Sequence, residues 1–94
     1  MDEEQSRKLY HITRALNNPI RLQILYSLLN NGHQNVTALV NQVKVSQPAV
    51  SHHIRILADS ALVCFHTHGK EKFFDLADDH VKQILEILSS HLTE

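Results

Sequence analysis

A mainly α-helical fold with one small β-hairpin is what this 94-residue chain predicts, on three observations. Apolar residues recur at helical spacing through most of the first 60 positions and again after residue 78. β-Branched and aromatic residues cluster instead within 61–77, on both sides of His68-Gly69-Lys70. Two glycines and two prolines leave little room for long loops. Apolar residues are 43% and charged residues 20%, so residues 1–94 are expected to form one globular domain, not a disordered chain. A domain this short has a small core and gains from dimerising.

The first helical segment is "EEQSRKLYHITRAL", with Leu9, Ile12 and Leu16 in phase. Asn18-Pro19 restarts the chain, with Asn18 as N-cap and Pro19 at the first helical position. "PIRLQILYSLLNNG" then places Ile20, Ile24, Leu25, Leu28 and Leu29 on one face, and Gly32 ends it. "VTALVNQV" is a short third helix with Leu39, Val40 and Val43 inward. Lys44-Val45-Ser46 is a tight turn, and Ser46 caps the next helix. The hairpin follows, turning at Gly69. From Asp78 the helical period returns almost to the end.

The fourth helix carries the first functional signal. At about 100° per residue, Val50, Ile54 and Leu57 face the core. Pro48, His52 and Arg55 face outward, with Gln47 and Ser51 beside them and Ser46 at the start. A short helix, a three-residue turn and such a helix have helix-turn-helix spacing, in which the second helix enters the DNA major groove. Gln and Ser can read base edges, and Arg or Lys can bind guanine or phosphate. From periodicity alone, this is equally an ordinary solvated face. The hairpin that follows favours DNA, because helix-turn-helix plus hairpin is the layout of a winged helix. Lys70 and Lys72 then lie on phosphates. Net charge is −1, yet in 44–72 Lys44, Arg55, Lys70 and Lys72 outnumber Asp59 and Glu71 by two. The asymmetry suggests one electropositive face.

The last helix carries the second signal. Val81, Leu85, Leu88 and Leu92 form a stripe expected to face the core. A second stripe beside it holds His80, Ile84, Ile87, His91 and Glu94. Asp78-x-His80 opens the helix and His91-x-x-Glu94 closes it. The two histidines are about 16 Å apart along the axis, too far to share one ion. Two antiparallel copies would bring the start of one helix to the finish of its twin, with Ile84 and Ile87 as the seam. Two imidazoles and two carboxylates suit zinc, or cobalt in its place. The alternative is that Asp78 merely caps the helix, the histidines are interfacial and Glu94 is a frayed end.

In "NPIRLQILYSLL", "VSQPAVSHHIRILADSALV" and "GKEKFFDLADDHV" the chain resembles, over nearly its whole length, the ArsR/SmtB family of metal-sensing winged-helix repressors. The resemblance implies a homodimer, built on the first helix through Leu9 and the last through Ile84 and Ile87. It implies double-stranded operator DNA as partner, released when an effector binds to derepress metal efflux or resistance genes. Asp78, His80, His91 and Glu94 look like the last-helix zinc site of SmtB- and CzrA-like members, spacing included. In relatives the free ring nitrogen of the second histidine bonds backbone near the end of the recognition helix, here around Ala61. The same fold answering to cobalt, nickel or a non-metal inducer is the alternative.

Other features limit the reading. The third helix has no cysteine, so the paired-cysteine site of some family members is missing. The single Cys64 excludes an intramolecular disulfide and is expected to be a small buried residue. His66 and His68 share one strand face, read as wing surface, with an accessory metal site as the alternative. His53 lies at the edge of the buried stripe, and His11 and His33 show no partner. A zinc hydrolase is disfavoured: the four ligands leave no open position and there is no His-Glu-x-x-His helix. A dimeric protein-interaction module is the remaining class. No apolar run approaches the ~18 residues of a membrane span, and the acidic N-terminus lacks a signal core, so the cytoplasm is expected.

Overall fold

The computed structural model describes residues 1–94 as five helices and one hairpin. In chain order these are α1 (Glu3–Leu16), α2 (Pro19–Asn31), α3 (Val36–Val43), α4 (Gln47–Asp59), β1 (Val63–His68), β2 (Glu71–Leu76) and α5 (Asp79–Leu92). The mainly α winged helix-turn-helix expected from the sequence is the fold observed.

Local chemistry sets most boundaries. Asp2 and Gln5 close a capping box on α1: Gln5 N–H donates to Asp2 Oδ1 at 2.8 Å, and Asp2 N–H donates to Gln5 Oε1 at 3.1 Å. Asn18 Oδ1 accepts from the N–H groups of Ile20 and Arg21, with Pro19 at the first helical position. Asn35 and Ser46 cap α3 and α4 in the same way, through the Ala38 and Ala49 amides. Asp78 Oδ1 accepts from Val81 N–H at the start of α5.

One core joins all the elements. Ile24, Leu25 and Leu28 of α2 are fully buried and meet Leu39 of α3, Val50 and Leu57 of α4, and Leu85 of α5. Only Ala15 of α1 is buried, so that helix rides on the surface. The hairpin pairs antiparallel from Val63↔Leu76 to His68↔Glu71. Gly69 takes φ +66° at the first of two turn residues, as a II′ turn requires. A third strand-like member joins it: Gln34 exchanges both backbone hydrogen bonds with Phe74, at 3.0 and 2.8 Å. The buried Gln34 side chain is held by Ser27, its Nε2 donating to the Ser27 carbonyl at 3.0 Å.

Two expectations fail. Leu88 and Leu92 do not face the core; they are 45% and 81% exposed. Tyr26 donates to the Leu85 carbonyl at 2.8 Å. Beyond that turn, α5 runs past the body it packs on. Cys64 is not buried either. It lies on the outward face of β1, where only Val63 is buried.

The end of α4 stores strain. Leu62 N–H donates to the Leu57 carbonyl and Ala61 N–H to the Ala58 carbonyl, both at 3.0 Å. This is a Schellman motif, with its apolar contact supplied by buried Leu57 and Leu62. The left-handed position belongs to Ala61, at φ +58°, where glycine is usual. A left-handed alanine costs roughly 1–2 kcal/mol, and glycine returns part of that gain as chain entropy. Ala61→Gly is therefore expected to stabilise the domain by about 0.5–1 kcal/mol. An unchanged or lower urea midpoint would contradict this account of the cap.

Candidate nucleic-acid interface and metal-ligand pairs

The outer side of α4 is set by what its inner side buries. Val50, Ile54 and Leu57 are 0%, 4% and 0% exposed, so the residues between them must point away. Ser46, Gln47, Pro48, Ser51, His52 and Arg55 are all exposed. Ser46 has a second duty, because its Oγ accepts from Ala49 N–H; its own O–H remains free to donate. Helix α3 reaches α4 through Lys44, Val45 and Ser46. Lys44 adopts φ +62° and ends α3 by donating its N–H to the Val40 carbonyl. The turn is as tight as the sequence indicated.

The hairpin adds two cations. Lys70 occupies the exposed turn beside Gly69. Lys72 is also exposed, its Nζ 4.5 Å from the centre of the Phe65 ring. This cation–π contact holds the ammonium on the side of the wing opposite His66 and His68. Phe65 itself is 52% exposed.

Arg21 is a contact that the sequence did not reveal. From the first turn of α2 its Nε donates to the Ala15 carbonyl at 2.7 Å and Nη2 to the Arg14 carbonyl at 3.3 Å. Its Nη1 lies 3.1 Å from His53 Nδ1 on α4. A guanidinium only donates, so Nδ1 accepts and the neutral ring carries its proton on Nε2. One side chain thus closes the end of α1 and touches α4. Burial, then Arg21 and then His52, lower the pKa of His53 below the ordinary histidine value.

The four metal-ligand candidates form two pairs. His80 Nδ1 lies 3.8 Å from Asp78 Oδ1, and His91 Nδ1 lies 3.4 Å from Glu94 Oε2. All four side chains are more than half exposed. Asp78 caps α5 with one oxygen, as the alternative reading had it, while its other oxygen remains available. No three His, Cys, Asp or Glu side chains converge on one point within the chain. Each pair offers one imidazole nitrogen donor and one carboxylate oxygen donor. Beside them, Ile84, Ile87, Leu88 and Leu92 of α5 and Leu9 and Tyr10 of α1 stand exposed.

Comparison with known proteins gives a consistent result. Residues 18–63 match the model described as "Bacterial regulatory protein, arsR family". The chain is 34% identical over its whole length to a transcriptional repressor SmtB homologue from Synechocystis, covering 70% of that protein. It is 35% identical to the arsenical resistance operon repressor of Bacillus subtilis, over 90% of this chain and 84% of that one. Among solved structures, the homodimeric winged helix-turn-helix DNA-binding domain of a possible ArsR-family regulator from Mycobacterium bovis superposes with a TM-score of 0.90 at 21% identity. That alignment covers 100% of this chain and 89% of the other.

The burial of His53, with Arg21 beside it, sets a pH dependence. The lowered pKa means that the unfolded chain takes up this proton first as pH falls. The stability involved is complete above the unfolded value of ~6.5 and is lost as pH falls through the lower folded value. His53→Asn keeps an acceptor for Arg21 and does not titrate. Between pH 7.5 and 5, the parent should lose urea resistance that His53→Asn retains; a constant gap between the two would count against a His53 ring kept neutral by burial and by Arg21.

Proposed function

The chain belongs to the arsR family of bacterial regulatory proteins, which are transcriptional regulators and not enzymes, and from that premise we propose a zinc-responsive repressor. It binds operator DNA as a homodimer and releases it when metal binds. The observation that carries this reading is the pair of half-sites at opposite ends of α5. Asp78 with His80, and His91 with Glu94, are two nitrogen–oxygen donor pairs held about one helix length apart. The second copy completes each set: one protomer contributes the start of its α5 and the other the finish. Two imidazoles and two carboxylates fit a four-coordinate zinc ion, and cobalt in its place.

The dimer reading rests on α1 and α5. Leu9, Ile84 and Ile87, joined by Leu88 and Leu92, leave an apolar face on a domain with a small core. Packing two such faces together covers them and aligns the half-sites by the same movement. The homodimeric assembly named for the Mycobacterium bovis domain is consistent with this.

DNA docking uses α4 and the wing. Gln47, Ser51 and Arg55 present hydrogen-bonding groups along one side of α4, with Ser46, Pro48 and His52 alongside. Lys70 and Lys72 supply charge to the phosphates. Only one relative placement of two protomers sets both recognition helices into successive major grooves. Side chains that tie the two α5 helices together favour one placement. If that is not the DNA-bound one, effector and DNA each weaken the other by the same factor, typically ~1–3 kcal/mol. His91 is the proposed link, through backbone near the exposed Ala61.

The test is titration of the upstream DNA of its own gene, with and without zinc. Zinc should weaken binding by the parent and leave a His91→Ala dimer bound. Arg55→Ala should cost about 1–3 kcal/mol, and Lys70→Ala should weaken binding to all sequences and flatten the salt slope. A parent whose affinity ignores saturating zinc sinks the metal response; unchanged binding by both DNA variants sinks the docking mode. Separately, Ile84→Asp places an unpaired charge in the proposed seam. It should sediment as a monomer, and a well-folded dimer would show that the seam lies elsewhere.

A further inference from the structure

A second cluster of histidines lies outside α5, on the face of the wing that carries Cys64. Alternation along β1 puts Cys64, His66 and His68 on that face, and His66 pairs across the hairpin with Phe73. The Gln34–Phe74 bridge brings the loop between α2 and α3 alongside β2, and His33 comes with it. The result is a triangle of rings. The His33 and His66 centroids are 5.5 Å apart at 82°. Phe73 stacks on His66 at 5.9 Å and meets His33 edge-on at 5.5 Å. Both imidazoles are exposed.

We propose that His33 and His66 form a second, solvent-open site in each protomer, which takes one divalent ion of the zinc class. The spacing supports it. With metal–nitrogen bonds of ~2.0–2.1 Å and the ring centre about 1.1 Å beyond, two imidazoles at a tetrahedral angle stand about 5.2 Å apart between centroids. The observed separation is 5.5 Å. Phe73 packs beside both rings, and turning the imidazoles about their own Cβ–Cγ bonds to face one ion leaves their centroids almost where they are. No third histidine, cysteine or carboxylate converges on the pair, so water completes the shell. The ion is therefore held more weakly than by a closed four-donor set and exchanges readily.

The chain offers one comparable pair, and it is unsuitable. His52 and His53 have centroids 5.1 Å apart. There Nδ1 of His53 is engaged by Arg21, whose fixed positive charge repels a cation. His33 and His66 have no such neighbour. Their elements are also distinct: an ion between them joins the entrance of the helix-turn-helix to the first strand of the wing.

The site is independent of the α5 reading and can be counted without it. The full-length chain is titrated with zinc against a chromophoric chelator, with far-UV circular dichroism confirming the fold of each variant. His80→Gln/His91→Gln should keep one weakly held ion per protomer. Adding His33→Gln and His66→Gln should remove it. His33→Gln/His66→Gln alone should lose one ion per protomer and keep the zinc response of DNA binding. The proposal is overturned if the first variant binds no zinc, or if the four-fold variant binds as much as the first. Loss of α5 function would instead show as stoichiometry that the His80 and His91 changes leave untouched.

Discussion

The placement of α4 depends on one constraint, the complete burial of Val50 and Leu57 with Ile54 between them. A helix buries one stripe, and the other side is then determined. Removing either end of that stripe would open a cavity, at a cost of roughly 2–5 kcal/mol for a leucine. The same packing dictates where the preceding turn must run. Lys44 takes a left-handed conformation because α3 has to stop there for α4 to lie across the core. Ala61 does likewise just past the far end, so α4 is flanked by two left-handed residues that are not glycines, one ending α3 and one following α4.

Around that helix, polar contacts act at a distance from any base or ion. Arg21 is the clearest case. Its guanidinium closes the last turn of α1 and reaches His53, so the element proposed for dimerisation and the one proposed for DNA share a single side chain. A shift of α1 against α2 would be felt at α4 through that fork. Tyr26 plays a smaller part for α5, fixing the Leu85 carbonyl and leaving the distal half to be positioned by whatever packs on it.

Most of the fold was legible in the sequence, for local reasons. Asn18-Pro19, Ser46 and Gly69 each carry their structural meaning in their own chemistry, and each behaves as expected. The core stripe of α4 was legible because its period matches its burial. The same logic failed at Leu88 and Leu92: a period shows which residues share a face, and is silent on whether protein lies beneath it. Cys64 failed because an apolar residue in a two-stranded wing has an open side. What the sequence did not reveal is non-local. The Arg21–His53 contact spans 32 positions. His33 finds partners only because Gln34 pairs with β2, and no motif announces that pairing. The nearness of His80 to Asp78 and of His91 to Glu94 was legible because each pair spans less than one helical turn.

The Gln34–Phe74 ladder has a mechanical consequence. With two backbone hydrogen bonds across it, the hairpin is not a flap hung from the end of α4. It is a beam with two supports, one at Val63 and the other at residue 34. Asn35, the next residue, is the cap of α3. A load on the wing tip at Gly69 is therefore carried to the first turn of the helix-turn-helix as well as along β1. Under the proposed docking, a groove that pushes on the wing would therefore also press on α3, through the same two hydrogen bonds.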